Sequence, residues 1–160
     1  MTAKNFMQFL IILVLASFVA ASNVASPMSH ERPEVSAQVV TTVDPMLKKI
    51  NDIRGEAGLP PLVEDRRLSL SAEAKAKDLV DRGYWSHDTP DGQGFFNLVY
   101  EYSPDVSAVG ENLARCYDDP VPAWVASPGH YENMMADWKY WGSGSAADDR
   151  CNYIVNHFSK

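Results

Sequence analysis

The chain has 160 residues, with 14 Lys and Arg against 21 Asp and Glu, and a net charge of −7 with neutral histidines. No basic cluster interrupts this acidic balance, so nucleic-acid binding and adhesion to anionic lipid through an electrostatic footprint are disfavoured. The length fits one domain with an appendage.

The appendage is N-terminal. Lys4 supplies a positive start, Phe6 to Ala20 is an almost unbroken apolar run, and Val19-Ala20-Ala21 offers small residues for cleavage after Ala21. Residues 1–21 are therefore expected to be a secretory signal peptide. A retained anchor is the alternative, although the run hardly reaches the roughly 20 residues of a spanning helix. No Cys lies near the cleavage site, which disfavours a lipoprotein anchor. Residues 22–43 carry Pro27, Pro33 and a polar His30-Glu31-Arg32 stretch without period, and read as a flexible leader. Residues 44–160 are left for one modest core. Cys116 and Cys151 are the two cysteines, and an even pair in an exported chain reads as a disulfide. A metal-binding pair is the rival reading, but neither Cys has a second Cys or a His at ligand spacing.

Asp44-Pro45 opens the first helix of the domain, which runs through Leu47, Ile50, Ile53 and Ala57 and stops at Gly58. Leu59-Pro60-Pro61-Leu62 is an extended connector. Asp65 caps a second helix to about Arg82; Leu68, Ala72, Ala76, Leu79 and Val80 make its buried stripe, while Glu73, Lys75, Lys77 and Asp78 are expected to face water. Gly83 ends it. Ser86-His87-Asp88-Thr89-Pro90-Asp91-Gly92 is a run of turn formers, which places His87 on a loop. A short helix is expected from Phe95 to before Pro104, and a strand within Val106 to Cys116 that holds Glu111. Val121 and Trp124 belong to another short helix.

The stretch Trp124 to Met135 reads as a further helix start, with Ser127 as cap, Pro128 at the first position, and His130 in the first turn beside Glu132. The positive end of the helix dipole favours a neutral imidazole there, the form that binds metals or accepts protons. Trp138 to Ala147 and Cys151 to Phe158 read as a hairpin turning at Asp148-Asp149-Arg150, and Gly142 and Gly144 mark a bulge or a close backbone approach. His157 alternates with Tyr153 and Val155 on one strand face and reads as a surface or packing residue. Helices first and strands last give an α+β fold.

His87, Glu111 and His130 are far apart, and spacing alone does not bring them together. Several motifs, however, follow one another in a set order. They are Asn51-x-x-Arg54, Gly58-Leu59-Pro60-Pro61-Leu62, Ser86-His87, Gly110-Glu111-Asn112-Leu113-Ala114, Trp124-x-x-Ser127-Pro128-Gly129-His130 and Asn133-Met134-Met135. This series resembles the CAP, or SCP, superfamily of cysteine-rich secretory, antigen-five and pathogenesis-related proteins, in its short microbial form. The resemblance covers 44–160 and implies a three-layer α-β-α sandwich around a central antiparallel sheet with a concave cleft. It further implies that His87, Glu111 and His130 line that cleft and that a divalent cation such as zinc sits between His87 and His130. The family's second acidic position is Ser127 here, and Glu132 is a nearby substitute.

The expectation is thus a secreted or extracellular (periplasmic in a Gram-negative source) binding module for an envelope, lipid or protein ligand. No stable membrane insertion is expected once the signal is removed. A metal-dependent, peptidase-like hydrolase with Glu111 as base is the alternative. A structural domain without catalysis is the third reading. A metal-free polar cleft and serine chemistry at Ser127 or Ser86 stay open beside these, although no nucleophile-elbow sequence is present.

Overall fold

The computed structural model describes residues 43–160; the signal segment and all but the last residue of the leader lie outside them. Local chemistry sets the helix ends. Helix α1 (Pro45–Glu56) starts where the Asp44 carboxylate accepts from the N–H groups of Met46 and Leu47 at 2.7 and 3.3 Å, with Pro45 in the first position. The chain leaves α1 at Gly58, whose φ of 74° suits glycine. Asp65 caps α2 (Arg66–Asp81) through the N–H of Arg67, and Gly83 releases it. Then come α3 (Phe95–Tyr102), α4 (Val121–Val125) and α5 (Pro128–Met135).

The sheet comprises β1 (Val63–Glu64), β2 (Val109–Arg115), β3 (Tyr140–Ala147) and β4 (Asn152–Ser159), in the spatial order β1-β3-β4-β2. The β3–β4 hairpin and the β2–β4 pair are antiparallel. The expected antiparallel sheet needs one amendment. Val63 and Glu64, which follow the extended connector, pair in parallel with Tyr140 and Trp141 as a two-residue edge strand.

Alternation along the strands divides the interior into two cores. On one face, Ala114, Trp141, Ile154 and Phe158 meet Leu47 and Ile50 of α1, Trp124 of α4 and Met134 of α5. On the other, Leu113 and Val155 meet Ala72, Ala76 and Leu79 of α2. This is a three-layer α-β-α sandwich. Gly142 and Gly144 permit the second contact: a Cβ on either would run into the α2 backbone, at Leu68 and Ser69 or at Ala72 and Glu73. Cys116 and Cys151 form the disulfide, at a separation of 35 residues.

Arg54 is buried and works as a polar clasp. Its guanidinium donates to the carbonyls of Pro60, Met134 and Ala136 at 3.0, 2.7 and 2.9 Å, tying α1 to the connector and to the end of α5. Among the described residues, no helix is long and apolar enough to cross a membrane.

Candidate functional site

The site grows from the pairing of β2 with β4. The Cys116 N–H donates to the Asn152 carbonyl at 2.9 Å, which makes Cys116–Asn152 a hydrogen-bonded pair. Counting along the register, Glu111 and His157 are partners in a non-hydrogen-bonded pair, the kind whose side chains stand closest. Both point toward α2. Nε2 of His157 lies 3.0 Å from Oε2 of Glu111, and its Nδ1 lies 2.7 Å from Oγ of Ser71. A carboxylate only accepts, so the His157 ring carries a proton on Nε2. His157 is fully buried. The expectation of a surface or packing role for it is thereby revised to that of a polar partner.

The other oxygen of Glu111 faces the loop between α2 and α3, where Nδ1 of His87 lies 2.6 Å from Oε1. The Glu111 side chain is wholly buried and that of His87 is 52% exposed. Burial is the largest influence on Glu111 and opposes its ionisation. The hydrogen bonds from His157 and His87 outweigh it, and the carboxyl is held below the usual carboxylate range. The same bond lifts the His87 imidazole above its ordinary value, against the pull of burial.

Lys75 fixes the loop. Its ammonium donates to the His87 carbonyl at 2.6 Å and to the Tyr84 hydroxyl at 3.0 Å, and Tyr84 in turn donates to Asp78 at 2.6 Å. Lys75 is buried, contrary to its expected solvent-facing position, because residues 84–88 fold back over that side of α2.

His130 approaches from α5. Ser127 stands at the N-cap position, yet its hydroxyl makes no capping bond to the backbone and instead lies 2.9 Å from Nδ1 of His130. Asn112 and Asn133 hold this segment: Asn112 donates to the His130 carbonyl at 3.1 Å, and Asn133 donates to the Asn112 side-chain oxygen at 2.9 Å. Burial, and then the neighbouring charge of His87, lower the His130 imidazole below its ordinary value.

His87, Glu111, Ser127 and His130 line one open cleft of about 410 Å³. Glu132 does not belong to it: that side chain is exposed on α5 and is not among the lining residues. In both cleft histidines Nδ1 is engaged, and Nε2 has no hydrogen-bond partner among the described residues. No group of three or more His, Cys, Asp or Glu is gathered around a common centre among the described residues. Ser127 and His130 meet, but among the described residues no carboxylate orients the second ring nitrogen of His130, and the pair lacks the third member of a nucleophilic triad. The Ser86 hydroxyl is engaged in its own turn, accepting from the Asp88 N–H at 3.2 Å.

An α-β-α sandwich with a two-histidine, one-glutamate cleft defines a CAP-type domain, and comparison with known proteins agrees. Residues 47–158 match the cysteine-rich secretory protein family, CAP, and the chain belongs to that family. It is 31% identical over 125 residues to the Bacillus subtilis protein YkwD, a match that covers 72% of this chain and 49% of that one. The chain thus spans about half the length of this curated relative. Among solved structures, an extracellular SCP-domain protein of Bacillus anthracis superposes with a TM-score of 0.62 at 27% identity, over 72% of this chain and 39% of that one. An outer surface protein of Borrelia burgdorferi superposes with a TM-score of 0.67 at 24% identity, over 72% of this chain and 89% of that one.

Proposed function

We propose that this is a secreted binding module whose cleft holds a divalent cation such as zinc between His87 and His130 and presents it to an envelope, lipid or protein ligand. One observation carries the reading. Glu111 occupies Nδ1 of His87 and so aims the remaining ring nitrogen, the usual metal-binding atom, away from the buried network. A carboxylate behind a ligating imidazole fixes its tautomer and raises its basicity. The donor set fits zinc, and two protein ligands make the affinity modest and leave coordination positions for ligand or water. A disulfide-linked domain suits the oxidising side of a membrane.

A second reading, a hydrolase, draws on the same dyad. Glu111, the expected base, is buried with its two oxygens bonded to His87 and His157. In this reading the free Nε2 of His87, with Nδ1–H held by Glu111 and no cation on that nitrogen, therefore takes the proton from a nucleophile in the cleft.

Proton NMR of the histidine rings tests the leading reading. Added zinc is expected to shift or broaden the resonances of His87 and His130 and to leave that of His157, behind Glu111, in place. Equal effects on all three rings, or none, would overturn it.

A further inference from the structure

The cleft does not end at His130. It shares Ser127 and His130 with a second hollow of about 300 Å³. That hollow shares Trp85 and Arg115 with a third, of about 560 Å³, beside the disulfide. The three hollows thus follow one another along shared lining residues, and the series is termed the trough. Two large aromatic side chains stand open on the middle hollow: Trp85 is 40% exposed and Tyr117 is 46% exposed. Trp85 is braced from two sides. The Trp85 and Tyr153 rings pack in a T-shaped arrangement with centroids 5.8 Å apart, and the Arg115 guanidinium lies over the Trp85 ring, 5.3 Å from its centroid. Arg115 makes this cation–π contact and, among the described residues, no ion pair with a carboxylate. Asp149 and Arg150 close the far end with opposite charges.

We propose that this trough is a carbohydrate-binding site for a linear glycan, with Trp85 as its stacking platform. With Arg115 over one face of the half-exposed Trp85 indole, the other face is the one to stack on the electropositive C–H face of a pyranose, and aromatic residues that join an apolar body to a polar tip suit ligands of mixed polarity. Arg115 and the charged far end supply the hydrogen bonds that sugar hydroxyls and amides require. Three hollows in series have room for a chain of sugars rather than one ring. Other occupants fit less well. An extended peptide would pair with the outer edge of β2, but there the Leu113 carbonyl is taken by the indole N–H of Trp124 at 3.1 Å, and Trp124 itself is buried. A lipid chain would meet Asp148, Asp149 and Arg150 in the largest hollow. The proposal needs no cation, so it goes beyond the metal-binding reading and can stand or fall separately.

The test is calorimetry and tryptophan fluorescence of the oxidised protein with chitotetraose, cellotetraose and a galacturonic-acid tetramer. Saturable binding of at least one of them is expected, with a fluorescence change that reports Trp85. Trp85→Ala is expected to weaken binding at least about tenfold, and Arg115→Ala or Tyr117→Ala to weaken it several-fold, while the far-UV circular dichroism of all three variants matches that of the parent protein. No binding of any of the three sugars at millimolar concentration would overturn the proposal, as would binding that Trp85→Ala leaves unchanged. Trp85-dependent capture of peptides from a random library, without sugar binding, would replace the glycan with a peptide.

Discussion

Glu111 and His157 face each other across β2 and β4, with Nε2 of His157 3.0 Å from Oε2 of Glu111 and neither side chain exposed. This buried pair is the fixed end of the site, and His87, on its loop, is the open end. Removing the fixed end strands a carboxylate. His157→Ala is therefore expected to cost about 2 to 4 kcal/mol, through a cavity and a lost charge-assisted hydrogen bond. His87→Ala is expected to cost less, because water reaches that half-exposed position. Urea unfolding of the two variants checks the order.

The pair also sets a pH window. Glu111 is held below its ordinary value, so its contribution is present above about 4.3 and is lost as pH falls through the lower folded value. His87 is held above its ordinary value, so its contribution is full below about 6.5 and is lost as pH rises through the higher folded value. The two contributions overlap between about 4.3 and 6.5. Glu111→Gln is expected to flatten the losses of stability on the two sides of this window, below about 4.3 and above about 6.5, and to lower the His87 titration midpoint seen by NMR. An unmoved midpoint would contradict the pairing.

The α2–β3 contact makes a sharper packing prediction. Gly142→Ala and Gly144→Ala each place a methyl group against α2 backbone, and each is expected to destabilise by about 1 to 3 kcal/mol or more. Gly55→Ala, in open space within α1, is expected to stabilise by about 0.5 to 1 kcal/mol. Thermal unfolding of the three variants separates these signs.

Reduction or the Cys116→Ser/Cys151→Ser double variant is expected to remove about 2 to 4 kcal/mol, near the chain-entropy value for a loop of this length. Denaturant midpoints with and without reductant read it directly.

The helix ends were legible because their signals are local: Asp44 with Pro45, Asp65, Gly58 and Gly83 act within a few residues. Gly142 and Gly144 were legible as close approaches, though not which helix approaches them. Lys75 was misread because the residues that bury it belong to the 84–88 loop, beyond the reach of α2's own periodicity. His157 shares a face with Val155, but its role depends on register with Glu111, 46 residues away, and on Ser71 of α2. A cross-strand register is a tertiary property that period-two alternation does not contain. Ser127 held a typical cap position, yet its hydroxyl turned to His130, a choice made by side-chain geometry. Glu132 is near His130 in sequence but is exposed outside the cleft, a direction its sequence position did not reveal.

The most direct measurement is a calorimetric zinc titration of the oxidised protein at neutral pH, beside the His87→Ala/His130→Ala double variant. A cleft that holds a cation on the free nitrogens of both rings gives saturable one-to-one binding that the double variant loses. Identical isotherms for the two proteins would contradict that account and leave the cleft a metal-free polar surface.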